Sequence, residues 1–319
     1  MSQSRESRPS ESDGPIKGRM TPGNKAFTLV ELLVVIAVIA LLLALLMPVL
    51  HRARAQGQLA VCLSNLRQLT LAWTAYATEH DGKLVDGSSF HTHASGRPGE
   101  RRYLEVQGWA GRAFSPANSQ HRAVLLEHPD KGALWPWIKD IDVYRCARGR
   151  PGHALTYATV VSANGCEVEG TFIPYSGGRE LNRLGIRVGA TVLRLTRLTD
   201  ILSPGASQRA VFLDMGQMPA GNNFYVEYLY PRWKWHSAPP IHHRNGMTIS
   251  MADGHAECWK WKGRETVSFP RELLPAGHLF CEVLEPPPFP GVILHEPQTE
   301  DGLYDLQRLQ RATWGRLGY

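Results

Sequence analysis

The sequence predicts an α+β protein in which a long N-terminal transmembrane helix packs on an antiparallel β-sheet. Residues 27–47 form an unbroken apolar run of the length that crosses a bilayer. An amphipathic helical pattern follows as far as residue 80, and its apolar stripe needs a partner surface. Short β-branched runs between turn sequences fill much of residues 155–260, and they are typical of antiparallel strands.

The apolar run from Phe27 to Met47 has 21 residues and one ionisable side chain, Glu31. As a helix it would measure roughly 31 Å, which matches the hydrocarbon core of a membrane. A cationic flank before such a run stays in the cytoplasm. The flank consists of Lys17, Arg19 and Lys25. We therefore expect a single-pass protein of the inner membrane, with a cytoplasmic N-terminus and a periplasmic or otherwise extracytoplasmic C-terminal domain.

Two other interpretations of this run fit less well. A buried core helix seldom extends so far without polar residues. A cleaved secretory signal has a shorter apolar core and a small-residue cleavage site, whereas this run passes into His51–Arg54 without one. A carboxylate within a membrane span costs a few kcal/mol unless it is paired or reaches the interface, so Glu31 calls for a specific role.

The segment from Lys25 to Leu32, KAFTLVEL, resembles the processing site of type IV prepilins and type II secretion pseudopilins. In that family a prepilin peptidase cuts before the Phe, the new amine is methylated, and the glutamate pairs with the amine of a neighbouring subunit. The resemblance implies a cut between Ala26 and Phe27, where the family usually has Gly before the cut. It makes Glu31 the assembly carboxylate.

The same resemblance implies a pilin-like fold and a structural role without catalysis or cofactor. The implied partners are the membrane, the prepilin peptidase and related pilin-like subunits. The implied assembly is a type II secretion system or a type IV pilus-like machine.

We expect one nearly continuous helix from Thr28 to His80, bent near Pro48 and eased at Gly57. An apolar stripe in its second half should lie on the extracytoplasmic domain. The stripe contains Leu59, Cys62, Leu63, Leu66, Leu69, Trp73 and Tyr76. The sequence CLSNLRQL at residues 62–69 also resembles large pseudopilin-like proteins that carry a C-terminal H-x9-DG signature.

The resemblance implies the limit of the cleaved leader, and the apolar and helical patterns give the other expected domain limits. We expect a cleaved leader at 1–26, the helix at 27–80, an α+β domain at 81–265, and a Pro-rich tail with a short amphipathic helix at 266–319. The net charge is +6. The sequence has no block of Lys and Arg residues, so a nucleic-acid partner is not expected.

The five cysteines are Cys62, Cys146, Cys166, Cys258 and Cys281. None belongs to a C-x-x-C pair, so a zinc or redox dithiol site is not expected from spacing. The odd count leaves at least one unpaired within the monomer. Cys146 with Cys166 is one candidate disulfide, because the pair would close a local loop.

Residues 81–132 predict a long loop with short strands such as Tyr103–Val106. His91 and His93 could bind a metal, but a solvated loop is the simpler interpretation because no third ligand is near in sequence. A helical turn at 133–138 should lead to a strand start at 142–146. Further strands are predicted at 155–161, 190–198 and 209–214.

The second distinctive segment runs from His242 to Trp259. Asn245-Gly246 and Asp253-Gly254 are two-residue turn sequences, and between them apolar and small polar residues alternate, so we expect two successive hairpins. Nine residues separate His243 from Asp253-Gly254, which fits the H-x9-DG signature of prepilin-type processing domains.

Two chemical interpretations of this segment remain. His243, Asp253 and His255, with His242 and with Asp214 nearby, could converge as metal ligands. Alternatively, Asp253-Gly254 is a turn and His243 hydrogen-bonds to a neighbouring strand, which we favour. No nucleophile–base pair or Gly-rich phosphate loop stands out, so an enzyme is not expected.

A second functional hypothesis is a membrane-tethered extracytoplasmic module that binds glycan or metal and uses the prepilin signal only for insertion. The aromatic and basic residues 232–236 could contact a sugar or a polyanion, although a strand edge is the simpler interpretation. The C-terminal helix predicted at 300–317 should dock on the domain or on a partner.

Overall fold

The structure is a computed structural model that describes residues 28–87, 89, 93–94, 103–104, 107–115, 121–165, 187–216, 223–234, 238–273 and 294–319. Several predicted features lie outside these residues: the leader, the Ala26–Phe27 junction, His91, Cys166, Cys281 and the Pro-rich segment. The described residues divide into two units, one that ends at Ala53 and one that runs from Arg54 to Tyr319.

The described α-helices are α1 (Leu29–Glu79), α2 (Arg122–Glu127), α3 (Trp135–Ile138), α4 (Arg264–Leu273) and α5 (Glu300–Trp314). The described strands are β1 (His93–Ala94), β2 (Tyr103–Leu104), β3 (Tyr157–Thr159), β4 (Arg187–Val188), β5 (Thr191–Val192), β6 (Ala210–Asp214), β7 (Trp233–Lys234), β8 (Gly246–Met251), β9 (Ala256–Lys260) and β10 (Leu294–His295).

Helix α1 begins directly after Thr28 and continues past Pro48, which does not end it. The predicted long helix is therefore confirmed. It contains a stretch that is apolar and long enough to cross a membrane, and none of that stretch is buried within the protein. An apolar surface of this extent is unfavourable in water, and a lipid environment removes the cost.

The central sheet has the strand order β3-β6-β8-β9, and every neighbouring pair is antiparallel. Strands β6 and β8 are buried along their whole lengths. Within the Arg54–Tyr319 unit, the hydroxyl of Thr70 on α1 donates to the Ser250 hydroxyl of β8 at 2.7 Å. The predicted α+β arrangement of a long helix and an antiparallel sheet is confirmed.

The predicted stripe of α1 supplies much of the core. Cys62, Leu66, Leu69 and Trp73 are buried, and Leu63 and Tyr76 are partly buried against the same cluster. Cys62, Leu66, Leu69, Trp73 and Tyr76 follow one another at intervals of three or four positions, and Leu63 lies three positions before Leu66, so these residues share one face of the helix.

A disulfide joins Cys62 of α1 to Cys146, with 5.1 Å between the two Cα atoms. The candidate pair Cys146–Cys166 is therefore wrong. Sequence spacing favoured the local loop, whereas the fold brings together two cysteines 84 positions apart. In the chain-entropy model, a loop of this length restricts the unfolded chain by about 4–5 kcal/mol.

Three local predictions are also corrected. The strand predicted at 190–198 is limited to β5, Thr191–Val192, and a 3₁₀ turn follows at Leu198–Asp200. The strand start at 142–146 is instead a 3₁₀ turn, Ile141–Tyr144, in which the Asp140 carboxylate accepts from the Asp142 amide. Of the two predicted hairpins, the described residues form the β8–β9 hairpin, whereas residues 238–244, directly before Asn245, contain a turn and no strand.

The predicted C-terminal helix is α5, and it docks on its own domain. Thr299 caps it by accepting a hydrogen bond from the Gly302 amide at 3.0 Å. Leu306, Leu309 and Trp314 are buried on one face.

Candidate functional site

The first candidate site is the start of α1, where Glu31 lies. The Glu31 Oε2 atom accepts hydrogen bonds from the Thr28 amide and from the Thr28 hydroxyl, both at 2.8 Å. The Thr28 hydroxyl in turn accepts from the Glu31 amide at 3.2 Å. This reciprocal arrangement is a capping box, in which residue N3 satisfies the amide of the N-cap residue.

The capping box assigns Glu31 a local role that the sequence analysis did not include. Both hydrogen bonds reach one oxygen, so the bonds of the capping box do not involve Oε1. The threonine three residues before a glutamate was the signal that could have predicted it. Ala26 and Phe27 lie outside the described residues.

The second candidate site is a buried cluster that contains His243. Its Nε2 atom lies 2.9 Å from Asp214 Oδ2 and 3.3 Å from Cys146 Sγ. Cys146, Cys62, Asp214 and His243 each offer one donor atom, and all four atoms lie within 4.8 Å of one another. His243 is 4% exposed and the other three residues are fully buried.

Four separate segments bring these side chains together. Cys62 comes from the stripe of α1, and Cys146 follows the 3₁₀ turn at Ile141–Tyr144. Asp214 is the last residue of β6, and His243 lies in the turn before β8. Since β6 and β8 are neighbouring antiparallel strands, the end of one lies beside the start of the other.

Positive φ values shape the two chain segments beside the cluster, one directly before β8 and one directly after β6. Arg244 and Asn245 both have left-handed φ values, 53° and 63°, which reverse the chain directly before β8. Gly216 has φ 67°, and a β-carbon there would collide with the ring of His242. Glycine meets both requirements, because it tolerates positive φ and allows close approach.

Hydrogen bonds from the backbone orient two of the four donors. The Gly216 amide donates to Asp214 Oδ1 at 2.7 Å, which leaves Oδ2 directed at His243. The Arg148 amide donates to Cys146 Sγ at 3.3 Å.

Two titratable side chains beside the cluster, His242 and Tyr157, are uncharged at neutral pH. Burial lowers the pKa of His242, and the Asp214 carboxylate only partly opposes this, so His242 is neutral at neutral pH. Burial also raises the pKa of Tyr157 well above its ordinary value, and Asp214 raises it further. Tyr157 therefore remains a neutral hydroxyl, which donates to the Cys62 carbonyl at 3.4 Å.

The remaining members of the predicted metal set lie elsewhere. Asp253 and His255 are exposed at the tip of the β8–β9 hairpin, where Asp253 Oδ1 lies 2.6 Å from His255 Nδ1 and accepts from the His255 amide at 3.1 Å. Gly254 has φ 94°, as the turn requires. The H-x9-DG spacing thus corresponds to a buried histidine, one strand and a turn, and the set His243, Asp253 and His255 is not a joint site.

The two cysteines of this cluster were not predicted to be part of a site. Cys62 and Cys146 lie far apart in the chain and outside any metal-ligand spacing, so no local signal marked them. Asp214 was noted only as a residue near the histidines.

Of the segment 232–236 suggested for glycan binding, the structure describes only residues 232–234. Trp233 of the 232–236 segment is buried, and β7 pairs with β10. The other described tryptophans are buried or half-buried, and Trp235 lies outside the described residues.

Comparison with known proteins identifies only the N-terminal segment. Residues 22–47 match the family model of the prokaryotic N-terminal methylation motif. No curated protein and no solved structure matches the chain. The chain therefore carries a prepilin-type signal on a long apolar helix, which together indicate membrane insertion and agree with a pilin-like membrane protein.

Proposed function

We propose that this protein is a non-catalytic, pseudopilin-like subunit of a type II secretion or type IV pilus-like assembly. The observation that carries the proposal is the methylation motif at residues 22–47, which continues into the apolar part of α1 and includes Glu31. Prepilin peptidase would cut between Ala26 and Phe27, and the new amine of Phe27 would be methylated.

The capping box supports an assembly role for Glu31. A carboxylate in a membrane span is costly unless it is hydrogen-bonded or paired with a cation. Thr28 meets part of this need through Oε2. The positively charged α-amine of a neighbouring processed subunit would meet the rest at Oε1, where Coulomb attraction is strong because the surroundings have a low dielectric constant.

The disulfide supports the proposed topology. Structural disulfides persist in oxidising compartments and are rare in the cytosol. The Cys62–Cys146 bond lies in the Arg54–Tyr319 unit, which agrees with a periplasmic location for that unit and with a cationic N-terminal flank that remains inside.

The processing step is tested by mass spectrometry of the full chain extracted from membranes. We expect the mature protein to begin at Phe27 and to carry one N-terminal methyl group. A chain that still begins at Met1 or Ser2 in most molecules would contradict the proposal.

The assembly step is tested by cross-linking in membranes with two variants that separate charge from capping. Glu31→Gln removes the charge but keeps a side chain that also serves in capping boxes, whereas Thr28→Ala removes the cap and keeps the charge. We expect Glu31→Gln to insert and to be processed but to lose self-association or association with related subunits. Glu31→Asp should retain part of it, and Thr28→Ala should retain most of it.

Equal cross-linking of Glu31→Gln and the wild type would contradict the proposal that this protein is a subunit of a pilus-like assembly. The tethered binding module would then be the better hypothesis, with the prepilin signal serving insertion alone.

A further inference from the structure

We propose that Cys62, Cys146, Asp214 and His243 form a redox-gated metal site, which binds one Zn²⁺-type ion when the disulfide is reduced. This proposal is independent of the assembly role. It rests on the four donor atoms lying within 4.8 Å of one another in a buried place.

The donor set suits zinc. Structural zinc sites are tetrahedral and use cysteine sulfur, histidine nitrogen and carboxylate oxygen, and two cysteines with one histidine and one aspartate supply four such ligands. Since all four ligands come from the protein and are buried, the site would be closed to substrate. It would therefore be structural rather than catalytic.

The distances require only a small rearrangement. Zn–S bonds of about 2.3 Å and Zn–N or Zn–O bonds of about 2.1 Å place tetrahedral donors about 3.3–3.8 Å apart. His243 Nε2 is already 3.3 Å from Cys146 Sγ and 2.9 Å from Asp214 Oδ2. The sulfurs, about 2 Å apart in a disulfide, would need to separate by less than 2 Å.

The surrounding hydrogen bonds are those that a metal site needs. Groups outside the ligand shell orient the ligands and tune their basicity. The Gly216 amide holds Asp214 Oδ1, so that Oδ2 faces His243, and the Arg148 amide donates to the sulfur of Cys146. Both donors are backbone amides.

The conversion of the disulfide form into the metal-bound form takes two steps, and atoms and electrons balance in each. A dithiol reductant transfers two electrons and two protons to the disulfide by thiol–disulfide exchange, which leaves two thiols in the protein and a disulfide in the reductant. Zn²⁺ then binds both sulfurs as thiolates, and two protons pass to solvent. An extracytoplasmic disulfide oxidant reverses the sequence after the metal leaves.

The consequence is that α1 stays crosslinked to the rest of its unit in either redox state. Cys62 belongs to α1, Asp214 to β6, and His243 to the turn before β8. The disulfide joins α1 only to Cys146, whereas the metal would join all four segments. A chain whose cysteines have not yet been oxidised would thus be crosslinked by the metal ion.

The test uses the full chain in detergent micelles, reduced with a phosphine and incubated with Co²⁺ until the absorption is constant. We expect one bound ion per chain, tetrahedral visible bands and sulfur-to-cobalt charge-transfer absorption, all displaced by Zn²⁺. The oxidised chain should show none of these signals. His243→Ala and Asp214→Asn should weaken binding by at least about 100-fold, since losing even an outer partner of a ligand costs 10–100-fold.

Two sets of variants serve as controls. Cys166→Ser, Cys258→Ser and Cys281→Ser together remove the other thiols and should leave the spectrum unchanged. Asp253→Asn with His255→Ala removes the exposed pair at the hairpin tip and should also leave it unchanged. Circular dichroism of each variant, and its ability to reform the disulfide on reoxidation, show whether it has folded.

Three results would overturn the proposal. The first is a reduced, folded chain that binds no Co²⁺. The second is unchanged binding in both folded His243→Ala and Asp214→Asn. The third is loss of binding in the folded triple cysteine variant, which would assign the ion to other thiols.

Discussion

Arg209 is a fully buried cation whose hydrogen bonds go to carbonyl groups. Its Nη1 donates to the Val192 carbonyl at 2.7 Å, and its Nη2 donates to those of Leu193 and Thr313 at 3.1 Å each. Burial lowers its pKa to about 10, against the opposing effect of Asp200, so the side chain remains charged at neutral pH. Thr313 lies in the last turn of α5, where unpaired carbonyls and the helix dipole favour a cation.

Arg209→Met should destabilise the domain strongly. The substitution keeps much of the apolar stem but leaves three carbonyls without this donor, so we expect the free energy of unfolding to fall by at least about 3 kcal/mol. Urea unfolding of the wild type and the variant at pH 7 measures this. The matched control is Arg316→Met, an exposed arginine, which should change stability by no more than about 0.5 kcal/mol. Equal losses in the two variants would contradict the role given to Arg209.

Glu265 connects two helices, since it lies in the first turn of α4 and binds the residues that start α5. Its Oε1 accepts from the Thr299 amide at 2.8 Å and from the Thr299 hydroxyl, and its Oε2 accepts from the Gln298 amide at 2.8 Å. Burial alone would raise the pKa of Glu265, but these hydrogen bonds and the nearby His295 lower it. Because Thr299 also caps α5, the carboxylate holds that cap in place.

Glu265→Gln should lower stability by about 1–2 kcal/mol at pH 7, as expected when a charged acceptor of several hydrogen bonds is lost. Since the pKa in the folded chain lies below the ordinary value of 4.5, this contribution is complete above about pH 4.5. It falls as the pH decreases through the lowered pKa of the folded chain. Thermal unfolding of both proteins from pH 7 to pH 3 should show the two curves converging at low pH. A constant difference over that range would contradict the assignment.

At the scale of the whole molecule, Arg54–Tyr319 contains its own core and crosslink. The stripe of α1 that packs on the sheet begins after Arg54, and the buried cluster and α5 lie in the same unit. The large apolar residues from Leu29 to Leu50 of α1 are exposed and are not part of that core.

A chain that begins at Arg54 should therefore fold in solution without detergent. Under oxidising conditions we expect a cooperative thermal transition and a Cys62–Cys146 disulfide in a peptide map. The same chain with Cys62→Ser and Cys146→Ser is the control, and it should unfold at a lower temperature because its unfolded state is less restricted. An unfolded wild-type chain under these conditions would show that the membrane segment is needed for folding.

The sequence by itself determined the features that depend on neighbours along the chain. Hydrophobic period and length predicted α1 and its core stripe, and turn residues with alternating side chains predicted the β8–β9 hairpin. The N-terminal motif was readable for the same reason, because the signal lies in consecutive residues at 22–47.

Only the tertiary structure decided which distant residues meet. Cys62 pairs with Cys146 and His243 lies beside Asp214 because strand order and helix placement bring them together, and neither is encoded in local spacing. The same holds for Arg209, whose carbonyl partners come from β5, the residue after it and α5. Local pattern specifies which face of an element is apolar, whereas the burial of polar groups is decided by the element that covers them, because each such group needs a partner once water is excluded.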